Sequence, residues 1–300
     1  MNFQIWGLTG TLATQHDEHM AYAQDRLWHW IDAFDATCNR FRSDSELSRL
    51  NEHSGEMVVL SLTLEMAIDA ALRAGEATGG LCDPTVLPAL LALGYDLDYD
   101  ELRHRNDVIA MAPVVAAGLG AITLNREAHT VMLAPECRLD LGASAKALVA
   151  DLVAADLAPL GGVIVEIGGD VAVHGTGPSG PWAIGVSDRL DLSGHEPRIT
   201  LTSGGVATSS TTTRTWHIGS QVVNHIIDPR TGTYARGAYA TASVAAESCV
   251  IANAFATAAL LWGEDAGYHI TQAGWSGRLV RHDGTVEFVG GWPPDEEGRA

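Results

Sequence analysis

CRLDLGASAKALVADLVAADLAPLGGVIVEIGGDVAVHG, Cys137 to Gly175, is the stretch on which the fold turns. Leu139 and Leu141 flank Asp140 at period-two spacing, which predicts a short strand. Gly142 permits a sharp exit, and the alanine- and leucine-rich run after it predicts a helix with Lys146 in its first turn. The following segment, GGVIVEIGGDVAVHG, is β-branched and reads as two strands joined at Gly168–Gly169. Helix followed by hairpin marks a mixed α and β chain.

The same reading extends outward in both directions. GTLAT, Gly10 to Thr14, predicts a short strand, and a helix from about His16 to Cys38 follows. Met20, Leu27, Ile31, Phe34 and Cys38 then share one face at spacings of three, four and seven. Ser43 or Ser45 is placed to cap a short helix ending near Leu50. A second helix spans about Thr63 to Thr78 and stops at Gly79–Gly80. Residues 96–113 are polar and acidic and read as an excursion. Strands and turns start at Pro178 and continue to about Val244, a helix spans about Glu247 to Trp262, and a final strand pair covers 278–290. There is no internal repeat and no Pro/Ser-rich linker, so residues 1–300 are expected to form a single domain whose lobes share a core.

Composition excludes several classes of function. The formal charge of −19 leaves no basic stripe to neutralise nucleic-acid phosphates and disfavours an anionic membrane surface. A small anionic ligand remains compatible if a lysine, a metal ion or backbone N–H groups help locally. Cys38, Cys82, Cys137 and Cys249 lack CxxC or zinc spacing and read as buried free thiols, which suits a reducing compartment. The opening MNFQIWGLTGTLATQ has no basic or apolar leader pattern, and no run approaches membrane-spanning length, so the expectation is a cytoplasmic protein.

Several constellations bear chemistry. There is no P-loop, no GxGxxG at a strand-to-helix junction and no HExxH. His16 and His19 lack an evident third ligand and read as a solvated helix start. Lys146, beside a glycine turn and a helix N-terminus, suits anionic oxygens, although a surface lysine would look the same. In ANAFATAAL, Ala252 to Leu260, Asn253 and Thr257 lie four apart on one helical face. Their oxygens suit a hard cation such as Mg²⁺, and a closely packed small-residue helix is the alternative. In GGLCDPTV, Gly79 to Val86, Asp83 reads first as an N-cap before Pro84 and second as a ligand-binding carboxylate. VVNHIIDPRTG, Val222 to Gly232, brings His225 to a turn marked by Asp228–Pro229 and Gly232.

Seven segments together resemble the ApbE-like family of flavin transferases: RFRSDSELSRLN (40–51), TGGLCDPTV (78–86), LDLGASAKALVAD (139–151), VEIGGDVAVHG (165–175), VATSSTTTRTW (206–216), NHIIDPRTG (224–232) and ANAFATAAL (252–260). They cover the chain nearly end to end in the family's order. The resemblance implies an α+β fold of two interlocked lobes with a flavin-binding cleft between them. It implies Mg²⁺-dependent transfer of the FMN half of FAD to a threonine or serine hydroxyl of an acceptor flavoprotein, with release of AMP. Carried over by position, the Ala143 carbonyl, Asn253 and Thr257 match metal ligands. Phe41, Asp83, Pro84, Thr85, Asp140, Lys146 and Ile227 match flavin-contacting positions, with Lys146 near the diphosphate, and Trp6 is a weaker N-terminal match. His225 matches a proposed acid/base group, a role for which imidazole is suited at neutral pH.

One departure stands out. Many members carry aspartate where this chain has Asn253, so the sequence predicts one negative charge fewer at the metal and weaker metal affinity. The same machinery admits two further functions: an Mg²⁺-dependent FAD pyrophosphatase giving FMN and AMP, or a non-catalytic FAD-binding protein.

Overall fold

The computed structural model describes residues 1–105, 112–187 and 196–295. Part of the 96–113 excursion and part of the strand-rich region after Pro178 lie outside these residues. The chain divides into two compact units that alternate along the sequence: Met1–Trp28, Lys146–Thr213 and Arg236–Ala300 form one, His29–Ala145 and Arg214–Ala235 the other. This alternation explains why no linker is visible in the sequence.

The first unit is built on an eight-stranded sheet. Its strands, in spatial order, are Asn2–Ile5, Leu8–Thr14, Val163–Ile167, Asp170–His174, Ser203–Ser210, Tyr239–Ala246, Ser276–Arg281 and Val286–Val289. Every pairing is antiparallel. The expected hairpin at Gly168–Gly169 forms, with Ile167 opposite Asp170. Side chains alternate between faces along a strand, so the register sorts them. Val171, Val173, Val206 and Ala245 pack on one face with Ile184 and Ile199 of the Trp182–Gly185 and Arg198–Leu201 hairpin, and with Trp292. Asp170 and Ala207 are paired in register and belong to the opposite face, as does Ser209 two residues on.

The Cys249–Trp262 helix packs against the Ser203–Ser210 and Tyr239–Ala246 strands. Its N-terminal donors are well met. The Ser248 hydroxyl accepts from Ile251 N (3.2 Å), and the Asp151 carboxylate accepts from Cys249 N (2.8 Å) and Val250 N (3.0 Å). Close approach also needs Gly205, where a Cβ would fall 2.5 Å from Cys249 N.

In the second unit, the helix expected near residues 63–78 runs Leu62–Ala77 and buries Leu64, Ala67, Ile68, Ala71 and Ala74 on one face. Ser61 caps it, and Ser45 rather than Ser43 caps Glu46–Glu52 by accepting from Ser48 N at 3.0 Å. A three-stranded sheet orders Met57–Val59, Thr130–Leu133 and Ile122–Asn125. An apolar cluster joins Ala89, Leu90, Tyr95, Leu102, Trp216, Val223 and Ile227. Each large apolar side chain fully buried in this way contributes about 1.5–3 kcal/mol.

The strand expected at Leu139–Leu141 does not form. Both leucines are buried, but the backbone of Leu139 is met by a side chain in place of a neighbouring strand. Asn51 Nδ2 donates to Leu139 O (2.9 Å), and Asn51 Oδ1 accepts from Leu139 N (2.7 Å). One carboxamide thus reproduces the two hydrogen bonds of a strand partner. The helix after it, Ala145–Leu157, forms as expected, as does Met20–Cys38 with Leu27, Ile31, Phe34 and Cys38 buried. All four cysteines are buried and free. Among the described residues, no helix is long and apolar enough to cross a membrane.

Candidate functional site

In the first unit the candidate residues meet where the Cys249–Trp262 helix faces the sheet. Asn253 and Thr257 are one helical turn apart, and each touches a residue that the strand register places on that face. Asn253 Nδ2 donates to Asp170 Oδ1 at 2.6 Å, and Thr257 Oγ1 lies 3.0 Å from Ser209 Oγ. Lys146, at the start of its helix, brings Nζ to 3.0 Å from Asp170 Oδ2, an ion pair outside directed hydrogen-bond geometry. Asp170 is 2% exposed, so its charge is compensated by the ammonium and the amide in place of water. Burial, together with the Asp170 and Asp151 carboxylates, pushes the Cys249 thiol well above its ordinary range.

Asn253 Oδ1 is buried and has no hydrogen-bond partner among the described residues. An acceptor stranded in this way costs about 1–3 kcal/mol unless something meets it. With Thr257 Oγ1 beside it in sequence register, the donor set is hard oxygen, which fits Mg²⁺ better than a soft metal. Among the described residues, no group of three or more His, Cys, Asp or Glu is arranged to hold a metal.

In the second unit, Asp83, Pro84, Asp140 and Ala143 converge on a small cavity of about 30 Å³, also lined by Ser144. Asp83 N-caps the turn at Pro84–Val86, as the sequence first suggested: its Oδ1 accepts from Thr85 N and Thr85 Oγ1, both at 2.7 Å. Burial raises the Asp83 pKa, and these two donors oppose the rise. Thr85 Oγ1 also accepts from Gly118 N at 3.0 Å, and Pro84 O accepts from Asp140 N at 2.8 Å. Asp140 Oδ2 pairs with Arg40 Nε at 2.5 Å. The Arg40 guanidinium lies over two rings, 4.0 Å from the Phe41 ring centroid and 4.6 Å from that of Tyr95. Phe41 keeps 39% of its surface exposed.

His225 is half-buried at a bend between the Gln221–Asn224 and Ile227–Asp228 strands. Asn224 brackets that bend, donating from Nδ2 to Ala235 O (3.0 Å) and accepting at Oδ1 from Ile226 N (3.1 Å). The turn beyond it is fixed by Arg230, whose guanidinium donates to both Asp228 oxygens (2.9 and 2.8 Å) and holds that carboxyl below its usual pKa range. Gly232 has φ 69° and would place a Cβ 2.2 Å from Val114 O, so no other residue fits there. The Ile227 side chain is committed to the apolar cluster, which leaves its main chain for any ligand contact. Trp6 occupies the turn between the first two strands with φ 51°.

Asp170, Arg40 and Asn224 were not singled out from the sequence. Asp170 had a usable signal: it is a charge opening the otherwise apolar run DVAV, and buried charges need partners.

Residues 6–277 match the model of the ApbE family. An FAD:protein FMN transferase of Vibrio cholerae is 27% identical over 276 residues, covering 88% of this chain and 77% of that protein. One from Chlamydia trachomatis is 29% identical, covering 79% and 74% respectively. The crystal structure of the ApbE protein of Thermotoga maritima superposes with a TM-score of 0.79 at 23% identity, over 96% of both chains.

Proposed function

The chain belongs to the ApbE family, and on that premise we propose that it is an FAD:protein FMN transferase. In this reading residues 1–300 act as one catalytic domain. The acceptor is a flavoprotein presenting a threonine or serine hydroxyl, the reaction depends on Mg²⁺, and AMP is released. The curated relatives named for this activity support the class of reaction. The observation that carries the site reading is the buried, unpartnered Asn253 Oδ1 on the same helix face as Thr257.

Asn253 and Thr257, with the main-chain carbonyl of Ala143, are the proposed ligands of Mg²⁺. When bound, the ion neutralises charge on the diphosphate oxygens that are transferred and released. Lys146 and the N–H groups at the start of its helix add positive potential for the diphosphate. Phe41, Asp83, Pro84, Thr85, Asp140 and the Ile227 main chain bind and orient the flavin nucleotide. His225 takes the proton of the acceptor hydroxyl as its oxygen bonds to the FMN phosphorus and the phosphoanhydride bond to AMP breaks. Asn224 and the Asp228–Arg230 turn hold the bend that carries His225. The four buried free thiols support a reducing, cytoplasmic setting.

The test is AMP release from FAD with and without a threonine-bearing acceptor, each with and without a chelator. AMP formed only with both acceptor and Mg²⁺ is the expected result. AMP formed equally without acceptor would replace the proposal with FAD hydrolysis.

A further inference from the structure

We propose that Asp170 is a positioning residue for Asn253, and that the two form an exchanged pair in which the carboxylate sits at 170 and the neutral ligand oxygen at 253. The inference rests on the reading of Asn253 and Thr257 as cation ligands.

An amide is asymmetric, with donors on nitrogen and an acceptor on oxygen. Asp170 Oδ1, 2.6 Å away, can only accept, so it selects the orientation in which Asn253 Nδ2 faces it. The opposite flip would press two acceptor oxygens together in a buried site. Fixing the nitrogen toward the sheet turns Oδ1 the other way, where it is buried and unpartnered. Asp170 is itself held, because Lys146 Nζ lies 3.0 Å from its other oxygen and its side chain is 3% exposed. The register that pairs Asp170 with Ala207 fixes the backbone from which the carboxylate projects. An oriented amide oxygen is thus ready for a cation without a reorganisation step.

The consequence runs against the expectation from residue type alone. Restoring aspartate at 253 would not simply add a useful charge. Asn253→Asp removes the donor and sets two buried carboxylates at hydrogen-bond distance, where they repel. Asp170→Asn removes the group that selects the amide orientation and takes away Lys146's ion-pair partner. D170N/N253D restores one donor and one acceptor across the contact.

The experiment is calorimetric titration of metal-free protein with Mg²⁺, alongside melting temperatures in EDTA, for wild type, T257V, N253D, D170N and D170N/N253D. N253D and D170N are each expected to bind Mg²⁺ about tenfold more weakly, as is usual when a group orienting a metal ligand is lost, and T257V to bind more weakly as well. D170N/N253D is expected to recover to within about threefold of wild type, as a restored pair should. N253D binding more tightly than wild type would overturn the inference while leaving the ligand reading intact, as would a double variant as weak as the two losses combined. Absence of Mg²⁺ binding by wild type, or binding unchanged in T257V, N253D and D170N alike, would overturn the ligand reading and the inference with it. If a single variant does not fold, the double variant decides: a cooperative melting transition in EDTA supports the pair, and its absence overturns the pair.

Discussion

Replacing Gly205 by alanine tests how the helix bearing Asn253 and Thr257 is held at its distance from the sheet. A Cβ at this position would lie 2.5 Å from both N and Cα of Cys249 and 2.8 Å from Val171 O. Restoring an ordinary 3.4 Å contact requires the helix start to retreat by about 0.9 Å. That movement also stretches the 2.8 Å hydrogen bond from Cys249 N to Asp151. Overpacking of this kind costs about 1–3 kcal/mol, offset in part by about 0.4–1 kcal/mol from the stiffer unfolded chain. A net loss of about 1–2 kcal/mol is therefore expected in the unfolding free energy from urea denaturation, seen as a lower midpoint. Because a misplacement of about 1 Å can cost a catalytic site as much as ~100-fold, FMN transfer should fall well beyond the stability effect. A variant with an unchanged midpoint and an unchanged transfer rate would refute the close-packing argument.

Four further outcomes follow from other parts of the molecule. Arg40→Met leaves the Asp140 carboxylate without its guanidinium in a pair only 9% and 13% exposed; urea denaturation should show a loss of about 3–5 kcal/mol, and a loss below ~1 kcal/mol would contradict the pairing. Burial raises the Asp83 pKa, so its folded-state contribution is full below the ordinary aspartate value of about 3.9 and is lost as pH rises through the raised value. Asp83→Asn keeps an acceptor for Thr85 and removes the charge, so melting curves across mildly acidic pH should flatten; an unchanged slope would count against a buried Asp83. Burial pushes the Cys38 and Cys82 thiols up to about 12 and Cys137 to about 11, so a thiol reagent near neutral pH should leave the native protein untouched and label all four cysteines once it is denatured. His225→Ala should slow FMN transfer by about 10²–10⁴-fold while FAD binding persists, and a rate within a few-fold of wild type would remove His225 from the chemistry.

Elements whose stabilising partners are close in sequence were the ones legible from it. The Met20–Cys38 helix shows in the spacing of Leu27, Ile31, Phe34 and Cys38, and the hairpin at Gly168–Gly169 shows in the β-branched runs on either side. Asp83 and Ser45 announce helix starts through side chains that bond two or three residues on. Leu139–Leu141 misled because two alternating leucines carry no information about what meets their backbone; the partner is Asn51, 88 residues earlier. Asp170 escaped for the same reason. Its importance comes from a strand register and from an amide 83 residues further on, neither of which has a local pattern. At Asn253 the sequence shows one side of a contact only. The missing carboxylate looked like a lost charge, yet a carboxylate touches that amide from the neighbouring strand. The division into two alternating units is equally invisible, because two of the crossings, Trp28/His29 and Ala145/Lys146, fall inside helices.

The most direct test of the account is the intact mass of a threonine-bearing flavoprotein acceptor after incubation with this protein, FAD and Mg²⁺. The account requires the acceptor to gain the mass of one FMN residue, with peptide mapping placing it on a threonine or serine hydroxyl. An acceptor of unchanged mass, from a reaction in which FAD has been converted to free FMN and AMP, would contradict it.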